Sequence, residues 1–293
     1  MIFQLLGSTL RLATPLVFAA LGGLFSERSG VINIALEGLM LIGAFAAAVG
    51  TFHAHSPWLG MACGMGAGVA LAAVYGVFAI RFRANQIVAG MAINMLAMGL
   101  TPFLCKILYD ATGSTPTIPY AEQFHAAPLY LATLVVGFCW FWMRFTPAGL
   151  WVGFAGEHPD ALEAEGIRVN RVRWFGVLMS GALAGMGGAS LSIFLSSSFS
   201  RNMTAGRGFM ALAALIFGKW RPVPTALACL LFGFADAMQI RLQGVALWGT
   251  KIPVQFIQIL PYLVTILVLA GFVGRSRAPR ALGKPFGTAN ERE

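Results

Sequence analysis

Apolar runs of 18 or more residues recur along the whole chain, and they constrain its fold more than any other feature. A helix of that length crosses a bilayer core of about 30 Å. Because lipid offers no hydrogen-bonding partners, the backbone of such runs must satisfy its polar groups within helices. The pattern therefore predicts an all-α, polytopic helical membrane protein with about 8–10 transmembrane helices. We expect one domain, residues 1–293.

The hydropathy pattern predicts nine spans, one of them short. They cover residues 8–25, 31–50, 58–80, 86–108, 128–143, 175–195, 208–218, 223–240 and 254–274. The first run lacks a basic start and a small-residue cleavage site, so we expect a membrane helix there rather than a cleavable signal peptide. Glycines at four-residue spacing (Gly60, Gly64, Gly68 and Gly181, Gly185) predict close helix packing.

Composition supports this class, because only 11% of the residues are charged and mean hydropathy is +0.76. Soluble domains are about a quarter charged. The net charge of +9 is explained by cations kept on the cytoplasmic side, so no nucleic-acid partner is expected. Alternating the connections places 14 of the 20 Lys and Arg residues inside and six outside. This favours a plasma (inner) membrane protein with its N-terminus out and its tail, residues 275–293, in the cytoplasm.

Two polar residues interrupt the second apolar run. Glu27 and Arg28 are expected to mark its charged edge, and Asn33 and Glu37 fall inside it. Since they are four residues apart, we expect Asn33 and Glu37 on one helix face. A carboxylate in hydrocarbon costs about 2.5–3.5 kcal/mol on insertion scales, so Glu37 should face protein or a watery path. The pair is predicted either to line a substrate path or to lock neighbouring helices.

Other polar residues at membrane depth favour structural roles. Asn94 lies inside the fourth run, where hydrogen bonding between helices is the alternative to a place on the substrate path. Asp236 and Gln239 share a helix face, and Arg241 is expected to pair near them.

The longest polar insert, residues 146–174, is predicted to contain a short helix. Pro159 suits its first turn, and Asp160 and Glu163 favour its N-terminal end. Gly166 suits the position after its C-terminus. The alternative is an ordinary solvated loop.

Seven sequence blocks resemble, in the same order, those of permease subunits in ATP-binding-cassette (ABC) importers for nucleosides and simple sugars. They are SGVINIALEG from Ser29, NQIVAGMAINMLAMGL from Asn85, GEHPDALEAEGIRV from Gly156, SGALAGMGGA from Ser180, MTAGRGFMALAALIFGKWRP from Met203, LPYLVTILVLA from Leu260 and APRALGKPF from Ala278. The chain departs from the family pattern at Gly153, where an arginine is usual. That departure concerns one charge contact at the inner surface.

The resemblance implies the ABC importer permease fold and assigns residues to roles. The substrate path would include Asn33, Glu37 and Asn94. The insert would be the segment that couples to the ATPase, through Glu157, His158, Pro159, Ala161, Ala164 and Gly166. The implied partners are an ABC ATPase, a second homologous permease subunit, an extracytoplasmic substrate-binding protein and membrane lipid. The serine-rich segment 196–207 could receive the binding protein, or it could be an ordinary solvated loop.

No catalytic role, metal site or cofactor of its own is expected for this chain. The sequence lacks a GxxxxGK[ST] phosphate loop, so ATP should bind the partner subunit. Cys63, Cys105, Cys139 and Cys229 lack metal-ligand spacing and are expected to be small packing residues. Three alternatives stay open: a branched-chain amino acid permease, an ion-coupled secondary transporter, and an intramembrane enzyme, which the missing catalytic set disfavours.

Overall fold

The computed structural model describes residues 2–111, 113–243, 246–247, 250–251, 259 and 277–287. Within these ranges, seven helices are long and apolar enough to cross a membrane. The helices are α1 Ile2–Arg28, α2 Leu36–Ala54, α3 Pro57–Gly76, α4 Gln86–Tyr109, α5 Ala127–Phe145, α6 Pro147–Glu157, α7 Pro159–Ala164, α8 Val169–Ser190, α9 Arg207–Phe217 and α10 Pro222–Leu242. The predicted all-α class is confirmed.

Shorter elements extend or connect these helices. A π-helical turn at Val77–Arg81 prolongs α3, and another at Leu191–Leu195 prolongs α8. A 3-10 turn at Tyr120–Glu122 precedes α5. Two strands of two residues each, β1 Ala246–Leu247 and β2 Thr250–Lys251, pair antiparallel.

Seven of the nine predicted spans correspond to long helices. The short span 208–218 is α9, which has 11 residues, and the span 254–274 lies outside the described residues. The prediction for 31–50 is wrong at its start, because helix α2 begins only at Leu36. The insert 146–174 contains two helices, α6 and α7, of which only α7 was predicted.

Local sequence explains several helix ends. The Asn85 side chain accepts hydrogen bonds from the backbone N–H groups of Ile87 and Val88, at 3.0 and 3.2 Å, and so caps the start of α4. Thr146 caps α6 by accepting from the N–H of Gly149 at 3.1 Å, with Pro147 in the first helical position. Thr146 therefore separates α5 from α6 without a loop.

The core is formed by α1, α2, α3 and α8: α8 packs along the other three, and α2 also packs along α3. The predicted glycine rows are at these contacts. A Cβ on Gly64 would lie 2.8 Å from the carbonyl oxygen of Gly43, and one on Gly181 would lie 2.5 Å from that of Gly68. Only glycine permits these backbone contacts, and the packing interpretation is confirmed.

One end of the bundle collects cations and is called here the basic end. Helices α1, α3 and α5 end there and α10 begins there, which places Arg28, Arg81, Arg144 and Arg221 at that level. The peripheral helices α4 and α5 expose large apolar side chains such as Met95 and Leu134, at 72% and 64%. These faces suit lipid or another membrane subunit.

Candidate functional site

A non-helical segment, residues 29–35, joins α1 to α2 and is called here the α1–α2 link. It lies inside the protein, and Val31, Asn33 and Ala35 are fully buried. Irregular backbone at membrane depth requires partners for its polar groups. Other helices supply them: the side chain of Gln86 accepts from the Ile32 N–H at 2.8 Å, and the Tyr75 hydroxyl donates to the Ile32 carbonyl.

Asn94 holds both sides of the break between the link and α2. Its side-chain Nδ2 donates to the carbonyl oxygen of Ile34 at 2.9 Å, and its Oδ1 accepts from the N–H of Gly38 at 2.8 Å. A Cβ on Gly38 would lie 2.9 Å from the Asn94 Cα, so the two helices touch at this point. One amide side chain on α4 therefore fixes where α2 begins.

Asn33 and Glu37 do not share a helix face, and that prediction is wrong. Asn33 belongs to the α1–α2 link, while Glu37 is in the first turn of α2. The Nδ2 of Asn33 donates to the hydroxyl of Ser180 on α8 at 2.6 Å. Its Oδ1 is buried and accepts no hydrogen bond among the described residues. Asn33 thus keeps one acceptor available in the interior.

Glu37 binds the N-terminus of α9. Its Oε1 accepts from the N–H of Gly206 at 2.8 Å, and its Oε2 accepts from the N–H of Gly208 at 2.7 Å. Both N–H groups belong to the unsatisfied donors at a helix start, where the helix dipole also favours a carboxylate. Gly206 has φ +85°, and a Cβ on Gly208 would lie 2.5 Å from the Cα of Glu37. Two glycines therefore permit this approach.

Helix α9 spans only part of a membrane. Its 11 residues extend about 16 Å, roughly half of a 30 Å bilayer core. Its first residue lies at Glu37, and just beyond its last, the indole N–H of Trp220 donates to the Glu27 carboxylate at 2.6 Å. Glu27 is 3% exposed, so it is a buried residue near the basic end and not the charged edge that was predicted. Carboxylates from α1 and α2 thus hold both ends of this half-helix.

Counting along α3 places Glu37 near mid-depth. Gly43 lies against Gly64, and Glu37 is six residues nearer to the basic end than Gly43. The helical rise then gives a separation along the bundle axis of about 15 Å between Glu37 and Arg81, the last residue of the α3 extension. Half-helix N-termini at this depth are a feature of transporter binding sites.

Arg207 and Asp236 lie near each other close to Glu37, but they form no ion pair among the described residues. Arg207 is the first residue of α9, and Asp236 on α10 lies within its electrostatic range. Arg241, which was expected to pair with Asp236, contacts the Gln4 side chain at 3.5 Å instead. The Nη1 of Arg207 donates to the Met203 carbonyl at 3.2 Å. Arg207 and Asp236 thus add one cation and one acid near the start of α9.

The predicted short helix exists as α7. Pro159 is in its first turn, and Gly166, with φ +78°, follows its end. Leu162 packs inward at 4% exposure, whereas Ala161 and Ala164 face outward. A concavity of about 470 Å³ between α6 and α7 is lined by Ala161 and by the apolar side chains Trp151, Phe154 and Ile167.

Residues 277–287 cross the basic end and are called here the C-terminal strap. The N–H of Ala281 donates to the Gly156 carbonyl at 2.8 Å, and the N–H of Gly283 donates to the Gly30 carbonyl at 3.1 Å. Arg173 on α8, 3% exposed, donates from Nη1 to the carbonyl oxygen of Lys284 at 2.8 Å. The strap joins the end of α6 to the start of the α1–α2 link.

The loops at the opposite end also associate. The N–H of Thr115 donates to the Phe199 carbonyl at 3.1 Å, and the Thr115 hydroxyl accepts from the Phe199 N–H at 3.0 Å. Phe199 is fully buried and meets the ring of Phe45 on α2 edge-to-face at 5.4 Å. Segment 196–207 is thus partly ordered by strand-like pairing and is not a simple solvated loop.

Comparison with known proteins assigns the family. Residues 5–269 match the family described as "Branched-chain amino acid transport system / permease component". The chain belongs to this family. It is the membrane-spanning permease subunit of an ABC importer, a transport component without its own ATPase site.

The permease is similar to several nucleoside permeases over nearly its whole length. The guanosine ABC transporter permease protein NupQ of Bacillus subtilis is 40% identical over 95% of both chains. The nucleoside ABC transporter permease protein NupC of Lactococcus lactis is 38% identical over 92% of both. A second guanosine permease protein of Bacillus subtilis, NupP, is 26% identical over 95% of this chain and 83% of its own.

The permease brings two of the three predicted path residues directly to the break before α2. Asn94 bonds the backbone at the break, and Glu37, in the first turn of α2, bonds the backbone at the start of α9. Asn33 lies in the α1–α2 link just before the break. Sequence reasoning missed Glu27, whose place beside Arg28 resembles a charged edge. It also missed Arg173, which lies at the start of an apolar run near other arginines. The sequence signal that could have identified Glu27 as a buried residue was its position at the end of an apolar run.

Proposed function

We propose that this permease translocates nucleosides, delivered by an extracytoplasmic binding protein, as one of two different permease subunits. The two relatives of highest identity reported above are named for guanosine and nucleoside transport. The observation that carries the proposal is the junction of two helix starts, α2 and α9, at Glu37 near mid-depth. Such junctions supply fixed hydrogen-bonding groups inside a membrane.

In this proposal the path residues have different tasks. Glu37 and Asn94 are positioning residues, because their polar atoms bond the backbone at the junction. Asn33 is the residue able to contact a nucleoside, since its buried Oδ1 has no partner among the described residues and could accept from a hydroxyl or amino group.

Energy would come from ATP bound by a separate ATPase, with no cofactor on this chain. The coupling surface comprises Glu157, His158, Pro159, Ala161, Ala164 and Gly166. From it, hydrogen bonds run through Gly156 to the C-terminal strap, and from the strap to Gly30 in the α1–α2 link. A displacement of α6 and α7 by the ATPase would therefore pull on the link, and alternating access requires that the two states bind the partner differently.

The orientation and assembly are part of the same proposal. In the inner membrane, the basic end faces the cytoplasm, the N-terminus is outside and the C-terminus is in the cytoplasm. This orientation follows from the 14 Lys and Arg residues expected on the cytoplasmic side, against six on the outer side. Two guanosine permease proteins in one organism, 40% and 26% identical to this chain, support pairing with a different permease subunit. The paired loops around Phe199 would face the binding protein, and lipid would cover the remaining apolar faces.

The test is reconstitution of the permease with its partner permease, ATPase and binding protein in proteoliposomes. We expect uptake of labelled guanosine that requires ATP and ignores sodium or proton gradients. Labelled leucine, tested in parallel, should not be taken up. Gradient-driven uptake without the ATPase would overturn the proposal, and leucine uptake would transfer the chain to the amino acid branch of its family.

A further inference from the structure

A cationic pocket opens at the basic end between α1, α5, α6 and α10. Its volume is about 690 Å³, and three arginines line it: Arg28, Arg144 and Arg221. Met143, Leu150 and Pro222 form much of the remaining wall. Trp140, 42% exposed, lies at its edge, as expected for an amphipathic ring at a membrane interface.

No ion pair among the described residues neutralises the three guanidinium groups. Within the described ranges, none of the three donates a side-chain hydrogen bond or forms an ion pair. Arg28 interacts electrostatically with Glu157, but it is also within range of the like-charged Arg221. The described lining of the pocket contains three cations and no carboxylate, so the pocket carries an excess of positive charge.

Gly153 leaves room beside this pocket. A Cβ at that position would lie 3.4 Å from the Nη2 of Arg28. Glycine at this position therefore leaves space beside the Arg28 guanidinium.

An apolar groove continues from this pocket along the membrane-facing side. It has a volume of about 230 Å³ and lies between α1, α5 and α10. Val223 lines both cavities, so the groove begins where the cationic pocket ends. Val17, Val136, Ala226 and Leu227 line it further from the basic end.

We propose that the pocket and groove together bind an anionic phospholipid. The phosphate and acidic headgroup would contact Arg28, Arg144 and Arg221, and one acyl chain would lie in the groove between α5 and α10. Basic pockets between helices on the cytoplasmic side suit anionic headgroups. A free phosphate or nucleotide would explain the arginines but not the apolar groove that extends from them. The site is remote from Glu37 and does not depend on which substrate the permease carries.

The first experiment counts lipids on the purified full-length chain by native mass spectrometry. Equal amounts of phosphatidylglycerol and phosphatidylcholine would be offered in mild detergent. We expect one phosphatidylglycerol retained in preference. Arg144→Gln with Arg221→Gln should weaken its binding about 10-fold or more, since each cation at an anionic surface contributes appreciably. Arg81→Gln with Arg168→Gln removes the same charge from exposed positions outside the pocket and should change little.

A second variant tests the groove separately. Thr133 lines the groove and is exposed, whereas the neighbouring Leu134 is exposed but does not line it. Thr133→Trp should displace the acyl chain and lower phosphatidylglycerol binding, while Leu134→Trp should not. Both changes are at surface positions, so both chains should fold, as checked by melting temperature.

Three results would overturn the proposal. Equal retention of the two lipids would show no preference for an anionic headgroup. Equal losses of phosphatidylglycerol binding in the arginine variant and its control would show that binding depends on overall charge and not on this pocket. Displacement of the lipid from the wild-type chain by inorganic phosphate alone would show that the pocket recognises a free anion, with the groove contributing nothing.

Discussion

Replacement of Glu37 by glutamine tests the junction of α2 and α9 most directly. The two carboxylate oxygens accept from Gly206 and Gly208 at 2.8 and 2.7 Å. Glutamine keeps one acceptor but turns an NH₂ donor toward the second N–H, so one bond is lost and one buried donor is left without a partner. The loss also removes a negative charge from a helix N-terminus.

The magnitude follows from these contacts. A hydrogen bond to a charged group contributes about 1.5–3 kcal/mol, and an unsatisfied buried donor costs about 1–3 kcal/mol. Because these two costs describe partly the same loss and do not simply add, we expect Glu37→Gln to destabilise the permease by about 2–4 kcal/mol, and Glu37→Ala by somewhat more because both bonds are lost. Asp236→Ala should cost less, because Asp236 is partly exposed and its cationic neighbour Arg207 also bonds the Met203 carbonyl.

The assay is thermal unfolding of the full-length chain in detergent, with guanosine uptake in proteoliposomes beside it. Both Glu37 variants should insert in the membrane but transport less than Asp236→Ala. The reasoning is refuted if Glu37→Gln melts and transports like the wild type, since the carboxylate would then contribute nothing to the start of α9. Equal transport losses in the Glu37 and Asp236 variants would also contradict the claim that the junction of α2 and α9 matters more for transport than Asp236.

Three further predictions address other contacts. Ala161→Trp with Ala164→Trp should place bulky rings on the outer face of α7 and weaken its contact with the ATPase by about 1–3 kcal/mol, by analogy with overpacked cores. We expect this variant to lose copurification with the ATPase while it still docks the binding protein. Normal copurification would place the coupling surface elsewhere. Arg173→Met should release the C-terminal strap, measured as faster tryptic cleavage after Arg280, and unchanged cleavage would show that other contacts suffice. Asn94→Leu should lower the melting temperature, because the Ile34 carbonyl and the Gly38 N–H lose their partners, and an unchanged temperature would show that water replaces them.

The sequence predicts the long helices well, because each carries its own apolar run. The start of α2 could not be predicted this way. Residues 31–35 are as apolar as the helix that follows, and the groups that hold them unwound, Tyr75, Gln86 and Asn94, are 40 to 60 residues away. Hydropathy is a local property, whereas this break depends on side chains from α3 and α4.

Predictions for the polar residues failed for a similar reason. Asn33 and Glu37 have helical spacing, yet the helix begins between them, and each side chain bonds a different helix. Glu27 looked like a solvated edge because Arg28 follows it, but its partner Trp220 comes from the other end of α9. The short α7 was predictable because its proline and glycine signals are contained within eight residues.

The glycine contacts among α2, α3 and α8 bear on which parts of the permease can move. At Gly64 and Gly68 the backbones of neighbouring helices touch directly, and a rotation of α3 by one residue about its axis would bring Met65 or Val69 against a backbone that has room only for hydrogen. These three helices therefore move together as one rigid unit. The conformational change of transport must occur in parts held by a few side-chain bonds: the α1–α2 link, the half-helix α9 and the C-terminal strap.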